Sequence, residues 1–293
     1  MRPGRLAVVA VALALLVAPG CRRGSGGAGA GVADPLGEAR SLVEQGRFDE
    51  AIARVGRTPG ADAQFLLGRA WAGKARSAPA PTPAPGSSPA GTRLKPEEAR
   101  ALECFERAIA ERPDHARAHL AIADLLAPHA LAGAATGGAE ADAGVERVLR
   151  AYGDAAQADP AGTEALEALV RFAVGAGRLE VADAAFQELI RRRREDPGLL
   201  VRYGDFLAGP KRDADAALAP YGQALIWRPG DAATRLKVAQ IHLAAAAALL
   251  SQRQYAAADA RLREARRLAL DPASPEGGRL QELEGRLREI RGR

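Results

Sequence analysis

Aromatic side chains make up only 4% of this 293-residue chain, and cysteine occurs twice, at Cys21 and Cys104. So few aromatics beside so much alanine argue against a β-sandwich, which draws on aromatic and β-branched residues, and favour closely packed helices. Two cysteines cannot supply a disulfide framework, so stability must come from burial. Charge of one sign is also lacking. Lys and Arg number 41 against 36 Asp and Glu, a net +5, and that surplus is too small for a nucleic-acid-binding face. The unbroken apolar run Leu6–Ala18 spans thirteen residues, short of the roughly 20 that a bilayer-crossing helix needs.

That run has another use. With Arg2 and Arg5 before it, it reads as the core of a secretory signal over residues 1–20. Small residues at Ala18 and Gly20 then lead directly to Cys21. The segment resembles a bacterial lipoprotein signal. The resemblance implies cleavage before Cys21, acylation of that cysteine and a lipid anchor in the bacterial cell envelope. Arg22 stands where some bacteria place the Asp that retains lipoproteins at the inner membrane, so the resemblance favours the periplasmic face of the outer membrane. Residues 21–33, with GSGGAGAG from Gly24 to Gly31, read as the lipidated flexible tether. Cys104 is then the one free thiol; it lies in the helical stretch ALECFERAIA and reads as a small core residue.

What the chain has in quantity is repetition. Ala101, Phe105 and Pro113 share their spacing with Val148, Tyr152 and Pro160, and again with Ala217, Tyr221 and Pro229. Small residues stand one turn beyond each aromatic, at Ala108, Ala155 and Ala224, and the same face recurs at Ala182/Phe186 and Ala258/Leu262. The small residues let a neighbouring helix approach, the aromatic fills the groove beside them, and the proline ends the helix. Partner helices lie upstream, where Leu67-Gly68 precedes Trp71 and Tyr203-Gly204 precedes Leu207.

These paired segments resemble the tetratricopeptide repeat family. The resemblance implies an all-α fold, a right-handed superhelical solenoid of antiparallel helix pairs, with a disordered N-terminus and a disordered Pro-rich insert. Repeats are expected over residues 34–272, with roughly six pairs starting near Leu36, Asp62, Arg117, Glu164, Gly198 and Ala233. The first pair's second helix is cut short by Pro59, and the sixth pair's first helix runs long through IHLAAAAALLSQRQY. Two inserts are expected between helices, a Pro/Ala-rich one at 75–95 and a Gly/Ala-rich one at 128–144. Residues 273–293, with Leu280, Leu283, Leu287 and Ile290 at helical spacing, read as a capping helix.

Sites of chemistry are harder to find. GRAWAGKAR, Gly68–Arg76, carries most of a phosphate-binding loop, but Ala75 replaces the hydroxyl residue and the glycine falls inside a helix rather than after a strand. It reads as packing. His115 and His119 could share a helix face but lack the further ligands a metal requires. GSSPA, Gly86–Ala90, lacks the last glycine of a nucleophile elbow. Neither a cofactor nor a metal is expected, and the protein reads as not an enzyme. Arg191–Arg194 form a basic run at a helix end, suited either to the helix dipole or to an acidic partner.

The resemblance places the useful surface on the concave side, one residue beyond the small packing residue of each first helix. Those positions are Arg40, Arg69, Asp124, Arg171, Asp205 and Gln240. Their charges are mixed, unlike the clamp of Lys, Arg and Asn with which some family members hold a C-terminal carboxylate. The expected function is a scaffold or adaptor for other envelope proteins or their peptide segments. An accessory subunit of an envelope enzyme, secretion or polymer-export complex, and a self-associating structural protein, are the alternatives.

Overall fold

Asp196, Asp213, Asp231 and Ser274 each turn a side-chain oxygen onto the backbone N–H groups that open a helix, at 2.9–3.2 Å. Such caps satisfy donors that the first turn leaves without partners. Pro96, Pro197 and Pro275 occupy the first turn, where a missing N–H costs nothing. In this computed structural model, which describes residues 34–78 and 94–292, these starts belong to thirteen helices, with no strand among the described residues.

Twelve of the helices make six antiparallel pairs. They are α1 (Pro35–Glu44) with α2 (Phe48–Val55), α3 (Ala61–Ser77) with α4 (Pro96–Glu111), and α5 (Ala116–Thr136) with α6 (Ala139–Ala158). Then come α7 (Glu164–Gly175) with α8 (Leu179–Arg192), α9 (Pro197–Ala208) with α10 (Ala214–Trp227), and α11 (Ala232–Ser251) with α12 (Tyr255–Arg267). A last helix, α13 (Pro275–Arg291), packs on α11 and α12. Each first helix begins within one residue of its expected start. Pro35–Arg293 form one compact unit, an all-α solenoid in which the pairs stack in chain order. The signal, Cys21, the tether and residues 79–93 of the insert lie outside the described residues.

Both expected inserts are corrected. Residues 128–144 are not a loop: α5 runs through Pro128 to Thr136, and only Gly137 and Gly138 separate it from α6. The small residues there are contacts. A Cβ on Gly133 would sit 3.7 Å from that of Ala141, and one on Gly144 3.9 Å from that of Ala130. Close approach along the whole α5–α6 pair offsets the hydrogen bond that Pro128 cannot make. The other insert also starts later than expected, because α3 continues to Ser77 and Lys95 Nζ donates to the Ala75 carbonyl at 3.1 Å. In α13, Leu280, Leu283 and Leu287 are buried, whereas Ile290 is exposed.

The largest core cluster extends from Phe65 to Val238 and includes Phe105, Tyr152, Phe172, Phe186 and Tyr221, with Cys104 also buried. Smaller clusters close the two ends, around Ala39 and Val55 at one and Leu262 and Leu283 at the other. Arg192 ties one pair to the previous one. Its guanidinium donates to the carbonyls of Ala156, Asp159 and Gly162 at 2.7–3.1 Å, capping the end of α6, while its Nε holds Glu188 at 2.7 Å. Arg193 reaches Glu167 at 2.8 Å, and Arg191 holds Glu188. Most of the basic run is therefore engaged within the fold.

Candidate functional site

On every first helix a buried residue is followed by an exposed one: Ala39–Arg40, Gly68–Arg69, Ala123–Asp124, Val170–Arg171, Gly204–Asp205 and Ala239–Gln240. Where the buried member is glycine, it faces the second helix of its own pair. Gly68 lies against the Phe105 ring and Gly204 against that of Tyr221, where a Cβ would come within 2.5 Å of the ring in both cases. Only glycine permits that approach. The next residue is turned by roughly 100° around the helix and so meets solvent on the open side of the array.

Two grooves lie on that side. The first, of about 670 Å³, runs along α3 and α5 and holds Arg69 and Asp124, with Phe65, Arg76, Arg117, Leu120, Leu125 and Glu164 around them. The second, of about 600 Å³, runs along α9 and α11 and holds Asp205 and Gln240, with Arg212, Tyr221, Lys237 and Ile241. Arg40, on α1, and Arg171, on α7, line neither.

The charges at these positions follow the aromatic of the paired helix. Tyr152 donates its hydroxyl to Asp124 at 2.8 Å, and Tyr221 donates to Asp205 at 2.6 Å. A largely buried phenol needs an acceptor, and the carboxylate supplies it. Burial, and then the bonded carboxylate, push both phenols well above their ordinary pKa, with Arg171 pulling Tyr152 the other way. Where the aromatic is phenylalanine, at Phe105 and Phe186, no acceptor is required and the exposed residue of the first helix is Arg69 or Arg171. Lys237 completes the second groove by donating to both carboxylate oxygens of Asp205 at 2.6 and 2.8 Å. Gln240 donates to Glu276 on α13 at 2.9 Å.

The histidines serve the fold. His115 caps α5 by accepting the Ala118 N–H at 3.3 Å, and its buried ring packs at a tilt against Phe65, with centroids 5.0 Å apart. His119 pairs through Nε2 with the Pro113 carbonyl at 2.8 Å. Among the described residues no three His, Cys, Asp or Glu side chains are grouped to hold a metal. Gly68–Arg76 lies within α3, and Gly73 packs on the Phe48 ring. The sequence reading missed Lys237, Arg76 and Arg117 as groove residues, because none occupies the position after the small residue. The tyrosine hydroxyls did leave a signal, since each tyrosine of the repeat accompanies an aspartate one helix earlier.

Fold and groove together define a tetratricopeptide-like helical-repeat protein. Comparison with solved structures returns low-similarity likenesses, one of them named as a TPR protein. MamA from AMB-1 is 14% identical over 68% of this chain and 92% of its own, with a TM-score of 0.44. MamA 41-end from Desulfovibrio magneticus RS-1 is 15% identical over 68% and 98%, at 0.43. The thermophilic TPR protein TTC0263 from Thermus thermophilus is 17% identical over 71% and 97%, at 0.41. These likenesses are too shallow to transfer any property. No protein-family model and no curated protein sequence matches the chain.

Proposed function

We propose that this chain is a membrane-anchored interaction scaffold of the bacterial cell envelope. Acylated Cys21 holds it to the membrane, favouring the periplasmic face of the outer membrane, and residues 21–33 tether the solenoid. The solenoid presents its open side to a peptide segment of another envelope protein. The observation that carries this reading is the row of six exposed polar side chains on successive first helices, two pairs of which share open grooves. Such a surface suits recognition of an extended or helical segment.

In-cell crosslinking followed by purification from membranes and mass spectrometry tests it, on wild type and on an Arg69→Glu/Arg171→Glu variant. Asp124 and Asp205 stay untouched, because their tyrosines depend on them. A partner lost in the variant supports the scaffold reading; an unchanged partner list overturns it. Cys21→Ser separately tests the anchor, with the protein expected to leave the membrane fraction.

A second reading, self-assembly, is favoured by Ile226 and Trp227. They are 77% and 53% exposed at the end of α10, beside each other and unlike almost every other large apolar side chain described. Exposed neighbours of this kind mark contact surfaces. Sedimentation of wild type against Trp227→Ser decides it: a concentration-dependent size that the substitution abolishes supports self-assembly.

A further inference from the structure

We infer that the groove along α3 and α5 takes an acidic segment with alternating apolar side chains, its carboxylates meeting Arg69, Arg76 and Arg117 and its apolar residues resting on Phe65, Leu120 and Leu125. The inference rests on the scaffold reading and specifies the chemistry of the partner.

By composition the groove is balanced, with these three arginines against Glu98, Asp124 and Glu164. What differs is how far the fold already occupies each group. Asp124 already accepts the Tyr152 hydroxyl. Glu98 accepts the Lys95 backbone N–H at 2.8 Å and lies 3.2 Å from the His129 ring. Two of the three carboxylates are thus committed to the fold. Two of the arginines are not: Arg69 and Arg76 pair with no other described residue, while Arg117 is held loosely, 3.8 Å from Asp62 and over the Phe65 ring at 5.3 Å. A guanidinium fork matches a carboxylate in shape as well as charge, and binds it through two parallel hydrogen bonds.

The floor supplies the apolar half. Among the described helices, α5 alone is long and apolar enough by composition to cross a membrane, yet it is one wall of a helix pair. It carries two apolar faces. Ile122, Leu126 and Ala130 are buried on one, and Leu120 and Leu125 stay partly open over the groove. The groove along α9 and α11 differs on both counts. Its carboxylates are engaged, Asp205 by Lys237, Asp213 by the Ala216 N–H and Asp215 by Arg261, which leaves Arg212 as its free cation. Its apolar lining is alanine, Ile241 and the ring of Tyr221, with no leucine among the described residues.

The test uses the purified full-length chain and a short fluorescent peptide of alternating glutamate and leucine, which in extended form puts all leucines on one face. Fluorescence anisotropy should show binding that weakens as salt rises. Arg69→Glu with Arg76→Glu should weaken it by about tenfold or more, a factor of ten being ~1.4 kcal/mol, while Arg212→Glu leaves it unchanged. Neither Arg69 nor Arg76 supports the fold, so loss of structure is not expected, and circular dichroism checks that. Equal or tighter binding of a lysine–leucine peptide overturns the inference, and so does binding that survives the double reversal. So does displacement of the peptide by anionic vesicles or by dimerisation of the chain. In each case the scaffold reading stands if in-cell crosslinks still depend on Arg69 and Arg171, and falls with the inference if they do not.

Discussion

The grooves along α3/α5 and α9/α11 occupy equivalent places in the array and share the same internal contact, a helix glycine against an aromatic ring. They differ in one atom of that ring. Phe105 has nothing to hydrogen-bond, and the residue after Gly68 is an arginine with no partner among the described residues. Tyr221 has a hydroxyl, and the residue after Gly204 is the aspartate that accepts it, itself neutralised by Lys237. The same split separates Phe186 with Arg171 from Tyr152 with Asp124. A demand made in the interior therefore decides what charge is left for the surface.

Four measurements would break or sharpen this comparison. Phe105→Ala and Tyr221→Ala should each cost ~3–5 kcal/mol in denaturant unfolding, because both rings fill the space between paired helices. A large loss at one and not the other would mean that the two pairs are not equivalent. Next, Asp205→Ala should cost ~1–3 kcal/mol, since it strands the Tyr221 hydroxyl and the Lys237 ammonium, whereas Arg69→Ala should stay within ~0.5 kcal/mol. Equal losses would remove the distinction between an engaged carboxylate and a free arginine. Tyr221→Phe, which deletes the demand and keeps the ring, should cost only ~1 kcal/mol.

The smallest effect is one that the two halves should share. Burial pushes His115, under the first groove, and His242, on α11, below the ordinary histidine pKa. The unfolded chain takes up these protons near pH ~6.5, before the folded one does. Stability is thus full above that pH and falls as the solution is acidified through it. The melting temperature should drop between about pH 7.5 and pH 5.5, and drop less in His115→Asn, which keeps a helix-capping side chain. A pH-independent melting temperature in wild type would contradict the burial of both rings.

The pairing of helices was legible because small and aromatic residues recur at fixed spacing, and each first helix starts within a residue of where that spacing puts it. The α5–α6 junction was misread for a physical reason. Gly133, Gly144 and Pro128 look like breakers in one dimension, but two of them are contact points between long helices. Turn residues were half legible: Gly46 and Gly177 adopt left-handed backbone between paired helices, with φ of 76° and 70°, but Arg212 and Arg253 do the same at 56° and 59° without any glycine to show it. The six exposed positions were readable from the packing residues, and four of them, Arg69, Asp124, Asp205 and Gln240, line a groove while Arg40 and Arg171 do not. Which of the charges the fold engages was not readable, because Tyr152 lies 28 residues from Asp124, Tyr221 lies 16 from Asp205, and Lys237 a further helix away. The four arginines were visible as a block, while the carbonyls that Arg192 holds are 30–36 residues upstream.

The bond between a buried phenol and the aspartate across from it also bears on how such arrays diversify. At Asp124, which no ion pair among the described residues holds, a change of Tyr152 to phenylalanine releases the aspartate from its structural duty, and only then can it drift to arginine without loss of stability. Reversing the order passes through an intermediate with a stranded hydroxyl. The pair at Tyr152 and Asp124 can thus rewrite its contribution to the surface by two ordered steps within one hairpin, whereas the change at Asp205 must also answer to Lys237 on the next one.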